Sequence, residues 1–229
     1  MSIWFTEELH PYYRKGVRVK RVLADEQTQY QHLQFVETEF FGNAMILDGI
    51  IQLTERDNMG YHEMIVHVPM LAVGQPKRVL IVGGGDGGSL QQVLRYPCVE
   101  EAVVCELDQR VVDLSRQYFA SSFGDPWADP RTKLLVRDAF GYLDENPGQF
   151  DVIISDISMP GEDGYSLLRS LRAAQMNMPA IALTALSRRE DEADAMAAGF
   201  QVHLHKPVNP AVLVQTVAKL GLAGSSYVR

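Results

Sequence analysis

Residues 79–88 read VLIVGGGDGG, an apolar run that breaks into glycines around a single aspartate. A short run rich in β-branched residues predicts a buried strand, and glycines directly after it predict a tight turn into a helix. Gly83, Gly85 and Gly88 fall on the G-x-G-x-x-G spacing, which lets a ligand approach the backbone closely. Glu106 closes the next apolar run, 18 residues after Gly88. A carboxylate there can accept hydrogen bonds from both hydroxyls of a ribose. Together these residues point to nucleoside binding; a strand–helix turn that needs glycine only for its shape is the plainer alternative. A dinucleotide is the first rival ligand. Asp86 weighs against it, because an anion in the loop repels a pyrophosphate and suits a sulfonium or an ammonium.

Outward from this loop the chain has two textures. Residues 1–56 alternate apolar and polar side chains in VRVKRVLA, LQFVETEF, AMILD and IIQLTE, around Gly42-Asn43 and Asp48-Gly49. Such dipeptides suit tight hairpins, so this segment predicts a small antiparallel β-domain. Residues 57–72 place Tyr61, Met64, Ile65 and Val68 at helical spacing. From Lys77 onward, apolar runs at 78–82, 102–105, 134–136, 151–155, 180–184 and 202–205 alternate with amphipathic stretches at 88–95, 109–119, 164–173, 188–198 and 210–220. That rhythm predicts an α/β, Rossmann-like doubly wound parallel sheet filling residues 57–229.

Net charge is -8, with 29 acidic residues against 21 Lys and Arg. A general nucleic-acid binder needs a basic surface, so no nucleic-acid partner is expected. No run of 18 apolar residues occurs, so no membrane partner is expected. The two cysteines, Cys98 and Cys105, suit a reducing compartment, and a cytoplasmic location is the expectation.

GGGDGG, the upstream DGIIQLTERD (48–57), YHEM (61–64), CELD (105–108) and FDVIISD (150–156) occur in one order. Together they resemble the spermidine synthases, the polyamine aminopropyltransferases, from about residue 3 to Asp156. The resemblance implies a β-domain followed by a Rossmann-like domain. It also implies aminopropyl transfer from decarboxylated S-adenosylmethionine, a co-substrate rather than a tightly bound cofactor, to putrescine, with methylthioadenosine as product. Carried over by position, Gln31, Gly83, Gly85, Asp86, Glu106, Asp138 and Ala139 would hold the nucleoside. Tyr61, His62 and Asp86 would line the amine channel, and Asp156 would take the proton from the attacking ammonium, as a general base must. A homodimer is a further expectation of the resemblance. Simpler roles stand beside these: His62 as a packed or a surface histidine and Asp138 as a helix cap.

After Asp156 the pattern changes. The enzyme family carries a second aspartate three residues on, where this chain has Met159. Instead DISMPGEDGY (156–165), PAIALTA (179–185), AAGF (197–200) and HKPV (205–208) resemble the C-terminal half of a response-regulator receiver domain. That resemblance implies a phosphoryl site of Asp156, Thr184 and Lys206, with Mg²⁺ bound by an acidic pair after the first strand. Here that strand ends in glycines and Asp86 alone. No linker-like segment separates the two patterns, so the seam falls near 150–160 inside one domain. Its six parallel strands are expected in the order 3-2-1-4-5-6. Three readings follow: an aminopropyltransferase-like protein that retains nucleoside binding, a phosphoryl-accepting signalling module, and an inactive hybrid scaffold.

Overall fold

The computed structural model describes residues 3–146, 148–155, 164–173, 175, 180–184, 189–205, 215–216 and 219. Five strands, β1 (Ile3–His10), β2 (Tyr13–Gln27), β3 (His32–Thr38), β4 (Asn43–Leu47) and β5 (Ile50–Thr54), form an antiparallel sheet in chain order. The turn from β4 to β5 is carried by Asp48 (φ 49°) and Gly49 (φ 79°), the left-handed pair that a two-residue hairpin requires. The first strand, IWFTEELH, went unread in the sequence because it carries polar residues on both faces. Its Glu7 is buried, and Lys15 on the facing strand lies 2.9 Å from the carboxylate.

The second layer runs α1 (Asn58–Val73), β6 (Arg78–Val82), α2 (Gly88–Leu94), β7 (Glu101–Glu106), α3 (Gln109–Tyr118), α4 (Ala120–Phe123) and a 3-10 turn at Pro126–Ala128. It continues with β8 (Thr132–Val136), α5 (Ala139–Glu145), β9 (Val152–Ser155), α6 (Gly164–Ala173), β10 (Ile181–Thr184), α7 (Arg189–Ala198) and β11 (Val202–His205). The helices expected at 57–72, 88–95, 109–119, 164–173 and 188–198 are present within a residue or so at each end. Most of the helix expected at 210–220 lies outside the described residues. Seven-residue α5 is too short for periodicity to announce it; its start is fixed by the capping carboxylate of Asp138.

Strands β8-β7-β6-β9 make a parallel sheet, the first four places of the expected order. Alternation along β6 sends Val79 and Ile81 into one core, with Val66, Leu90 and Val104. Leu80 and Val82 go to the other, with Val103, Leu143 and Leu168. The N-terminal sheet docks through a third core, in which Leu33, Phe35 and Met45 meet Val111, Leu114 and Phe119 of the α3–α4 segment.

The last two strands depart from the expected order. β10 and β11 pair in parallel as a separate two-stranded sheet, rather than extending the four strands past β9. Between them lies a cavity of about 130 Å³, walled by Ile65, Val68 and Ala72 of α1, by β9, by Leu167 and Leu171 of α6, and by Ile181. The side chains brought together at the seam do not fill the space that a continuous ladder would close. Cores are normally packed like crystals, so a void here removes contacts on every wall.

Two substitutions test this packing through urea midpoints at constant denaturant slope. Ile81→Ala, at a side chain 2% exposed in the core beneath α1 and α2, is expected to cost about 2–5 kcal/mol. Ala72→Leu, which points into the cavity's wall, is expected to stabilise by about 0.5–2 kcal/mol. A destabilising Ala72→Leu would show that the space cannot accept added volume.

Candidate functional site

Parallel α/β sheets place their sites at the carboxyl ends of the strands, where adjacent crossovers leave a crevice. Here those ends carry the glycine loop after β6, Glu106 at the end of β7, and Asp138 just beyond β8. Glu106 is 9% exposed. Its Oε2 accepts from the Gly85 amide at 3.0 Å and its Oε1 from the Asp108 amide at 3.0 Å. Burial pushes this carboxyl above its ordinary range, against the amides of Asp108, Gly85 and Leu107, and the nearby Asp86 charge pushes the same way as burial. A carboxylate has about four acceptor positions, so the three amides leave room for a ligand's hydroxyl. Gly85 is required by this closeness rather than by its dihedrals: a Cβ there would lie 2.8 Å from Glu106 Oε2 and 3.0 Å from Val111.

The charged part of the loop is held from below by α1. His62 is 1% exposed, and its Nε2 lies 3.0 Å from Asp86 Oδ1. That same oxygen accepts from the Gly88 amide at 2.6 Å. Burial pushes the Asp86 carboxyl up, but the hydrogen bond and charge of His62 and the Gly88 amide outweigh it and hold the acid below its ordinary value. Asp86 is therefore an anion poised at the loop. Gly88 exists to let the ring in: a Cβ there would come within 2.2–2.5 Å of three His62 ring atoms. The ring is boxed edge-on by Tyr61 and Phe123, with centroids at 5.2 and 5.4 Å. Its Nδ1 is buried without a partner among the described residues. His62 thus reaches the site through Asp86, whereas Tyr61 is 37% exposed at its rim.

Gln31 arrives from the β2–β3 turn, and its Nε2 donates to Asp108 Oδ2 at 3.3 Å. Asp138 caps α5, its Oδ2 accepting from the Gly141 amide at 2.7 Å, and Ala139 is the buried first residue of that helix. The capping role weighed in the sequence is thus present, with the side chain exposed at the strand ends. The structure therefore gathers Gln31, Tyr61, His62, Gly83, Gly85, Asp86, Glu106, Asp138 and Ala139 around one edge. Asp156, Met159 and Lys206 lie outside the described residues, as does the side chain of Thr184. β10 ends at Thr184, and β11 ends at His205, the residue before Lys206. Among the described residues, no three His, Cys, Asp or Glu side chains form a metal-binding group.

Two contributors went unassigned in the sequence. Asp108 sat inside the quoted CELD motif, and an aspartate directly before a helix was a readable cap signal. Trp127, whose Nε1 would lie 3.1 Å from a Cβ on Gly87, covers the loop and left no local pattern to find it by.

Among the described residues no helix is long and apolar enough to cross a membrane. The sequence profile of the spermidine synthase tetramerisation domain matches residues 3–55, and that of the spermine/spermidine synthase domain matches residues 58–172. The response regulator receiver domain profile matches residues 134–218, overlapping the second. A polyamine aminopropyltransferase of Thermoanaerobacter sp. (strain X514) is 45% identical over 160 residues, covering 70% of this chain and 57% of the relative. One from Serratia proteamaculans (strain 568) is 44% identical over 169 residues, covering 74% of this chain and 58% of the relative. The crystal structure of spermidine synthase from Thermotoga maritima superposes with a TM-score of 0.68 at 32% identity, over 75% of this chain and 59% of that one. A spermidine synthase in complex with the transition-state analogue AdoDATO gives the same TM-score, 0.68. The chain spans under three fifths of the length of these relatives. With two consecutive profiles in order and the strand–glycine–acid geometry beneath them, the chain belongs to the spermine/spermidine synthase family.

Proposed function

We propose that this chain binds the nucleoside portion of decarboxylated S-adenosylmethionine and of its product methylthioadenosine, as the site of an aminopropyltransferase. The observation that carries the reading is the buried Glu106 carboxylate, tied to the glycine loop at Gly85 with acceptor positions to spare, beside an ionised Asp86. In this reading Glu106 accepts from the ribose hydroxyls and Gln31 contacts the sulfur-bearing end. Asp138 and Ala139 border the base, and Asp86 attracts the cationic tail and the amine. Tyr61 flanks the amine path, and His62 acts on it only through Asp86.

The reaction would transfer an aminopropyl group to putrescine. The amine nitrogen bonds to the carbon beside the sulfonium, the C–S bond breaks, and methylthioadenosine leaves neutral. The proton lost from nitrogen goes to Asp156. Proximity and alignment supply much of such a rate. Met159 stands where the family carries its second acid and cannot hold an ammonium, so binding survives in this chain better than turnover.

The phosphoryl-accepting alternative is less well supported. It needs an acidic pair after the first parallel strand, and β6 runs instead into Gly83, Gly84 and Gly85. The single acid there, Asp86, is already engaged by His62 and Gly88. The name of the N-terminal profile supports association beyond the dimer expected from the sequence, and Ile3, Trp4, Tyr12 and Tyr13 on the first hairpin are 55%, 60%, 92% and 59% exposed.

Calorimetric titration with methylthioadenosine is expected to show binding, weakened about 10- to 100-fold by Glu106→Gln, the equivalent of about 1.5–3 kcal/mol for hydrogen bonds to a charged group. No heat and no thermal shift with the unaltered chain would contradict the proposal.

The depressed Asp86 carboxyl sets a pH signature. Its contribution to stability is complete above its unfolded-state value, near 3.8, and is lost as pH falls through the lower folded value. The stability difference between the unaltered chain and Asp86→Asn should therefore shrink as pH falls from about 5 to about 2 in urea titrations. A constant difference would show that His62 does not hold the anion.

Sedimentation velocity should show a species larger than a dimer, which Trp4→Lys with Tyr12→Lys dissociates. A monomer in both cases would contradict assembly through this hairpin.

A further inference from the structure

Asp108 sits two residues beyond Glu106 and is 4% exposed. Its carboxylate is divided between two elements. Oδ1 caps α3, accepting from the Arg110 amide at 3.0 Å. Oδ2 accepts from Thr28 Oγ1 at 2.7 Å and from Gln31 Nε2 at 3.3 Å, both on the β2–β3 turn of the N-terminal sheet. Its own amide donates to Glu106 Oε1. One residue therefore links the turn bearing Gln31 to the acid proposed for the ribose.

The turn is built to present its side chains to Asp108. Thr28 Oγ1 accepts from the Tyr30 and Gln31 amides, each at 3.1 Å, and its only proton faces the Asp108 carboxylate at 2.7 Å, nearer than the Gln31 carbonyl at 3.1 Å. Gln31 is in the same position chemically. A carboxylate accepts and never donates, so the amide must turn its NH₂ end toward Asp108. Its carbonyl oxygen, Oε1, is then directed elsewhere, and no protein donor meets it among the described residues. An acceptor without a protein partner, beside a nucleoside site, is a contact for a positive centre.

We propose that Asp108 is a positioning residue that fixes the Gln31 amide with its oxygen toward the ligand, and so makes the site prefer a cationic sulfonium to the neutral thioether. The inference rests on the nucleoside reading above. It adds that substrate is distinguished from product partly by a dipole whose direction the second acid of CELD sets. Without that acceptor, the amide can flip and offer NH₂ to the sulfonium, which repels it.

The test compares two ligands that differ at sulfur: methylthioadenosine and its S-methylated dimethylsulfonium form, each titrated by calorimetry. The unaltered chain should bind both and favour the sulfonium. Asp108→Asn keeps a good helix-capping residue and should lower the sulfonium-to-thioether affinity ratio at least about fivefold. Gln31→Ala should lower it comparably, and adding Asp108→Asn to Gln31→Ala should change it no further. A ratio unmoved by either single substitution overturns the inference and leaves nucleoside binding standing. Should Asp108→Asn fail to fold, Gln31→Ala decides by itself, since an unchanged ratio there removes the dipole's role. Failure of the unaltered chain to bind either ligand overturns the nucleoside reading and this inference with it.

Discussion

Glu106 shares its two oxygens between the amide of Gly85 and the amide of Asp108, and this division organises the site. A buried carboxylate is costly unless it is hydrogen-bonded, and here the loop and the helix start supply the bonds. In return the acid fixes where the glycine loop sits and where α3 begins. Gly85 must lack a side chain because the acid is that close. Asp108, placed by the same strand end, caps α3 and holds the turn from the N-terminal sheet. The β-domain, the first crossover and the proposed ribose contact are therefore parts of one bonded chain.

A second chain runs on the other side of the loop. His62 is carried by α1, buried beneath Gly88, and holds Asp86 as an anion. The two acids play opposite parts because their surroundings differ. Glu106 is raised by burial and is the acid proposed for the ribose hydroxyls; Asp86 is lowered by an imidazole and is the one proposed for the cationic groups. In the proposed reading, a sulfonium nucleoside with a cationic tail would present one kind of group to each acid.

Much of this was legible beforehand, and for physical reasons. Apolar runs such as RVLIV and AVVC, alternating with amphipathic stretches, read as buried parallel strands, and the spacing of Gly83, Gly85 and Gly88 marked the crossover between them. The motif resemblance named Gln31, Glu106 and Asp138 together, which periodicity alone could not connect. The bridge from Gln31 through Asp108 was not legible, because it joins residues 77 positions apart through side-chain geometry that no spacing encodes. Nor was the burial of His62, since a histidine on that helix reads equally well as packed or exposed. The six-strand order held for four strands. Order depends on topology, which the pattern showed, whereas closure of the sheet depends on side chains from two patterns filling one space. Beside β9 they leave a cavity.

The central claim is that Glu106 receives a ribose at the carboxyl edge of this sheet. A crystal structure of the chain grown with methylthioadenosine tests it most directly. Both ribose hydroxyls are expected at about 2.6–3.0 Å from the two Glu106 oxygens, with the Gly85 and Asp108 amide bonds intact. A nucleoside bound elsewhere, or bound with its ribose turned away from Glu106, would contradict the claim.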